Sequence, residues 1–147
     1  MGKIGFVYAG QGSQVVGMGQ SFYDNYQIAK DVFDNIDLDI DVKKLCFEGP
    51  LEELSLTRNT QPCMVAVAVV VTKLLKENGI APDYVAGLSL GEYAALINGG
   101  ALSLEDGLRL VKERGRIMGN ALPEGLGTMA AILKLNDEKL AELRSEE

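Results

Sequence analysis

The stretch Tyr84-Val85-Ala86-Gly87-Leu88-Ser89-Leu90-Gly91 decides the fold. Pro82-Asp83 ahead of it marks a turn, and Tyr84 to Leu88 then reads as a short apolar strand running straight into Ser89. A helix follows from Leu90 to about Asn98 and stops at Gly99-Gly100. Gly87 to Gly91 is therefore a G-x-S-x-G pentapeptide set between a strand and a helix. In that setting the serine sits at the tip of a sharp, strained turn with its hydroxyl above the sheet edge. Side chains two residues to either side would collide with neighbouring backbone, a clash that glycine removes. The helix aims its first N–H groups and its dipole at the serine, where an oxyanion can be stabilised. A random chain of this length contains the pentapeptide about one time in twenty, so the flanking strand and helix carry the reading.

Working outward, Lys3 to Ala9 reads as a second short strand, followed by the loop Gly10-Gln11-Gly12-Ser13-Gln14. The dinucleotide pattern fails there because Val15 holds the third glycine position, and the phosphate-loop pattern fails because Met18 follows Gly17. Two readings of this loop stay open: an ordinary strand-to-helix turn, or a ligand-binding loop at the carboxyl end of a strand, where open α/β sheets bind their ligands. Helical pieces are expected at Phe22 to Ile36 and Val42 to Phe47, with a turn at Gly49-Pro50. The valine-rich run Met64 to Val71 could pass for a buried strand. Thr60 as cap, Pro62 in the first turn and a stop at Gly79 make it part of a long buried helix instead. Ser103 and Asp106 resemble a capping box opening a helix to about Met118. Gly127 to Leu133 reads as a strand, and Asn136 as the cap of a last helix. Alternating strands and helices indicate a parallel α/β sheet.

Composition narrows the function. At 147 residues with 47% apolar and 24% charged, the chain can build a core. A net charge of −7 argues against nucleic acid and against an anionic membrane surface as partners. The longest apolar run, Met64 to Val71, falls far short of the roughly 20 residues of a membrane helix. Cys46 and Cys63 form no CxxC and read as reduced structural thiols of a cytoplasmic protein; with no histidine, no metal cluster can be completed.

Three arginines lie on the helix from Leu104. At ~100° per residue, Leu104, Leu108, Val111, Gly115 and Met118 fall within an arc of about 80°, the buried stripe. Arg109 and Arg116 lie roughly 140–160° from Val111, on the solvated side, whereas Arg114 lies only about 60° from it. A guanidinium at that border needs an anionic partner. It is shaped to grip a carboxylate through two parallel hydrogen bonds, and an internal salt bridge would meet the need equally well.

Taken together, Gly10 to Gln14, Thr60-Gln61-Pro62, Gly87 to Ala94 (GLSLGEYA), Arg114-Gly115 and Gly127 to Ala131 resemble one family. It is the malonyl-CoA:acyl carrier protein transacylases of bacterial fatty acid synthesis, matched in order and spacing across essentially the whole chain. The resemblance implies an α/β-hydrolase-like acyltransferase core, in part, over residues 1–124, and the beginning of a ferredoxin-like small subdomain over 125–147. It implies that Ser89 takes malonyl from coenzyme A as an ester and yields it to the phosphopantetheine thiol of acyl carrier protein. The backbone N–H groups of Gln11 and Leu90 would form the oxyanion hole, and Arg114 would bind the free malonyl carboxylate. Malonyl-CoA enters as substrate, with no tightly bound cofactor and no metal.

Two features depart from the family. Leu88 stands where a histidine often precedes the serine. The family's catalytic histidine lies in the second half of a longer chain, and no histidine is present here. Serine needs an adjacent base, so the chain is expected to be an N-terminal fragment, inactive alone, whose partner is the other half of the same polypeptide. An acyltransferase serving a polyketide synthase shares these motifs. A serine esterase would give Arg114 no special task, and a binding or scaffolding protein with a vestigial serine site draws support from the missing histidine only if 147 residues is the natural length.

Overall fold

The computed structural model describes residues 2–121, 126 and 132–145. Two short strands, β1 (Gly5–Tyr8) and β2 (Tyr84–Gly87), pair in parallel with Gly5 opposite Tyr84 and Tyr8 opposite Gly87. Alternation sends Phe6 and Tyr8 inward and leaves Gly5 and Val7 exposed. The Tyr8 hydroxyl meets Thr72 Oγ1 at 2.9 Å inside the core, which ties β1 to the helix behind it. At the other end Asp83 clamps the two strands. Its carboxylate accepts from Lys3 Nζ and from the Ile4 N–H, each at 2.8 Å.

The first helical segment differs from expectation. One helix over 22–36 is replaced by α1 (Gln20–Asn25) and α2 (Gln27–Asp34), broken at Tyr26, whose backbone is extended. The break follows from packing: α1 has no fully buried side chain, whereas α2 turns Ala29, Val32 and Phe33 into the core. α3 (Val42–Glu48) forms where expected, capped by the Asp41 carboxylate on the Lys44 N–H. After the Gly49-Pro50 turn comes α4 (Leu51–Ser55), a short helix the sequence reading did not anticipate.

The long helix α5 (Thr57–Glu77) is helix rather than strand, as its length required. It starts earlier than Thr60, so Thr60 is no cap. Its hydroxyl instead donates to the carbonyls of Leu54 (2.6 Å) and Leu56 (3.1 Å), and Pro62 lies in the second turn. Val65, Ala66, Val69, Val70 and Leu74 make α5 the centre of the main core, against α2, α3 and α4 on one side. Cys46 and Cys63 are free, buried thiols in this core. Hydrogen bonding to Cys63, and then burial, push the Cys46 thiol far up, so it stays protonated.

α6 (Leu90–Asn98) follows β2 directly, and α7 (Leu104–Gly119) packs along α5. The capping box at its start is present: Ser103 Oγ accepts from the Asp106 N–H at 3.0 Å and donates to its carboxylate at 2.7 Å. On α7, Leu108, Val111 and Gly115 are buried, while Met118, expected in the same stripe, is 37% exposed. Asn136 caps α8 (Asp137–Ser145) through the Lys139 N–H at 2.9 Å, as expected. The strand expected at Gly127 to Leu133 and the boundary near Gly125 fall mostly outside the described residues.

Candidate active site

Ser89 caps α6 with φ 52° and ψ −108°, a left-handed conformation costing about 1–3 kcal/mol for a residue with a side chain. Glycine geometry shows how the turn is held. A Cβ added to Gly87 would stand 2.0 Å from the Gly91 carbonyl carbon, and one on Gly91 would stand 2.1 Å from the Tyr8 carbonyl oxygen. The two glycines therefore let the elbow fold on itself and press against β1. Gly10 completes the approach: its added Cβ would lie 3.3 Å from the Leu88 oxygen and 3.9 Å from Ser89 Cβ. The loop after β1 thus runs beside Ser89.

Gln11 lies in this loop, and its side-chain amide donates to Thr57 Oγ1 at 3.2 Å. Leu90, buried, is the first residue of α6, where backbone N–H groups have no acceptor within the helix. The bonds that close the elbow come from the next two residues, Gly91 N–H to Leu88 and Glu92 N–H to Ser89.

Arg114 reaches the same point from α7. It is half-buried, as the helical angle required. Nη2 donates to Ser89 Oγ at 3.0 Å, and Nη1 donates to Gln61 Oε1 at 2.9 Å. The guanidinium also lies 5.4 Å from the centre of the Tyr93 ring, at cation–π distance. The other two arginines go where the helical angle sends them. Arg109 pairs with Glu105 and Arg116 with Glu113 on the solvated side. Arg114 forms no ion pair among the described residues, so its salt-bridge alternative finds no support there. A serine oxygen has two lone pairs and one proton. With Arg114 donating to one lone pair, the hydroxyl proton remains available to a base. No histidine exists in the chain to be that base.

Gln61 and Tyr93 were given no role by sequence reasoning. Gln61 shares its helix face with Val65 and Val69, a spacing that marks a buried amide. Tyr93 stands four residues after Ser89, one turn along α6.

The Acyl transferase domain family matches residues 5–146. The chain belongs to that family. This acyl transferase chain is 46% identical over 145 residues to the malonyl CoA-acyl carrier protein transacylase of Bacillus subtilis, covering 97% of the chain and 46% of that protein. It is 41% identical over 144 residues to the protein of the same name from Escherichia coli, covering 96% and 47%. A crystal structure of malonyl CoA-acyl carrier protein transacylase from Clostridium perfringens superposes with a TM-score of 0.88 at 42% identity, covering 99% of this chain and 46% of that one. A malonyl-transacylase in complex with a type II PKS acyl-carrier protein gives a TM-score of 0.88 at 36% identity, covering 99% and 48%. The acyl transferase chain thus spans about half the length of the relatives it matches.

Proposed function

We propose that this chain carries the nucleophile and the carboxylate anchor of a malonyl-CoA:acyl carrier protein transacylase. The observation that carries the reading is the Arg114 guanidinium, without an ion pair among the described residues, 3.0 Å from Ser89 Oγ. A cation at the nucleophile matches an acyl group that ends in a carboxylate.

In the first half-reaction, Ser89 Oγ attacks the thioester carbonyl of malonyl-CoA and passes its proton to a base. The tetrahedral oxyanion forms against the N–H groups of Gln11 and Leu90, and it collapses with loss of the coenzyme A thiolate. The base returns that proton to the departing thiolate. In the second half-reaction it takes the proton of the carrier protein's phosphopantetheine thiol as the sulfur attacks the seryl ester, and passes it to Ser89 as the ester breaks. Arg114 holds the malonyl carboxylate in both. Serine and thioester supply all the chemistry, so no tightly bound cofactor or metal enters. The base is contributed by polypeptide outside these 147 residues, since the chain contains no histidine. Residues 1–124 would belong to the hydrolase-like core and 125–147 to the small ferredoxin-like subdomain. A cytoplasmic setting suits the two free thiols. These steps are the same for a carrier of fatty acid synthesis and one of polyketide synthesis; a serine esterase leaves Arg114 without a task.

Intact mass after incubation with malonyl-CoA tests the proposal. The full-length gene product should gain one malonyl group, and Ser89→Ala and the isolated 1–147 polypeptide should gain none. No adduct on the full-length protein would remove the transacylase reading. Loading of 1–147 at the full-length rate would remove the external base.

A further inference from the structure

Two polar side chains one turn apart on α5 reach the two arms of the site separately. Thr57 Oγ1 accepts from Gln11 Nε2 at 3.2 Å, and Gln61 Oε1 accepts from Arg114 Nη1 at 2.9 Å. Residues four apart share one helix face, so a single element serves the loop after β1 and the cation of α7. Backbone packing sets the spacing. A Cβ added to Gly115 would stand 2.6 Å from the Thr57 carbonyl oxygen and 2.7 Å from Arg58 Cα. α7 therefore rests on the first turn of α5 with no side chain between them, immediately beside Arg114.

Gln61 is built to hold one orientation. It is fully buried at 0% exposure, and its amide nitrogen donates to Met118 Sδ at 3.4 Å. A guanidinium has donors only, so the amide oxygen must face Arg114 and the nitrogen must face the thioether. A neutral acceptor also leaves the cation its full charge, which a carboxylate in the same place would cancel. Gln61 occupies one amino group of Arg114. The other remains for Ser89 in the empty site and for a substrate carboxylate in the loaded one.

We propose that the first two turns of α5 are the positioning element of this site, with Thr57 fixing the oxyanion loop through Gln11 and Gln61 fixing the Arg114 guanidinium over Ser89. The inference rests on the malonyl-transfer reading above. It separates two duties: the Gln11 loop serves every acyl group, whereas Arg114, which in the empty site donates to Ser89, grips only an acyl group that carries a carboxylate. The two positioning residues must then leave different signatures.

The test is rapid-quench loading of Ser89 in the full-length gene product from malonyl-CoA and, separately, acetyl-CoA. Gln61→Leu should slow malonyl loading on the order of 10- to 100-fold, the weight of a hydrogen bond to a charged group, and slow acetyl loading by a smaller factor. Thr57→Val should slow both by the same factor, about two- to tenfold, and Thr57→Ser should restore both. Equal loss of both substrates in Gln61→Leu, or a changed malonyl-to-acetyl ratio in Thr57→Val, would overturn the assignment. Crystal structures of the same full-length variants read positioning without turnover. Arg114 is expected to leave Ser89 Oγ in Gln61→Leu, and a guanidinium still at hydrogen-bond distance would sink the idea. If the unaltered protein loads no malonyl, the transfer reading fails, and the crystal structures alone decide on positioning.

Discussion

Ser89, Gly87 and Gly91 work as one unit because the elbow has no room for a Cβ at either glycine. An added Cβ at Gly87 meets backbone at 2.0 Å, and one at Gly91 meets the Tyr8 carbonyl at 2.1 Å. Backbone cannot yield as a flexible side chain can, so either alanine must pry β2, α6 and β1 apart. Gly87→Ala and Gly91→Ala are each expected to cost more than about 3 kcal/mol in urea denaturation. Gly119→Ala, at the end of α7 with nothing within 4 Å of the added Cβ, is the control. It should be neutral or stabilise by about 0.5–1 kcal/mol. Arg114 makes the complementary point about legibility. Its place at the border of the buried face followed from 100° per residue, but its partners did not. Ser89 lies 25 positions away and Gln61 lies 53 away, and no local pattern links them.

Among the elements, the two strands depend on a carboxylate as well as on their ladder. Asp83 ends the connection from α5 and holds the start of β1 through Lys3 and Ile4. Hydrogen bonds from Lys3 and then from the Ile4 N–H hold its carboxyl below the usual range. A folded-state pKa below the unfolded value means that the unfolded chain binds the proton more readily. The contribution to stability is then present above about pH 4 and is lost as pH falls through the depressed folded value. Asp83→Asn should therefore lower Tm at pH 7, and the gap to the parent should close as the pH approaches 3. A gap that persists unchanged into acid would show that the clamp acts through shape alone. The helices were legible where their caps were local. Ser103 with Asp106, Asp41 and Asn136 each bond a backbone N–H three residues on. The break at Tyr26 and the early start of α5 were not legible, because both answer to how α2 and α4 seat against the core.

At the scale of the whole molecule, one face of the sheet stands uncovered by the described residues. Val7 is 82% exposed, Leu88 74% and Tyr84 66%, and these three line the outward side of the strands. Along β1 a cavity of about 420 Å³ opens between Phe6, Tyr8, Met64, Val71 and Leu75. Apolar surface of this kind invites association. The purified 147-residue polypeptide should bind a hydrophobic dye such as ANS and self-associate in sedimentation. The double variant Val7→Thr/Tyr84→Lys should reduce both. Absence of dye binding by the parent polypeptide would mean that the face closes on itself in solution.

By itself the sequence determined the strand–serine–helix elbow, the side of α7 that each arginine takes, and membership of an acyltransferase family. These depend on backbone chirality, on helical period and on motif order, all of which are local or additive along the chain. Only the tertiary structure decided that α5 presents Thr57 and Gln61 to two different arms of one site, and that Arg114 donates to Ser89 rather than to an acid. Those contacts join residues more than twenty positions apart. They exist because Gly91 and Gly115 let α6 approach β1 and α7 approach α5 at backbone distance, an outcome of packing that no window of sequence contains.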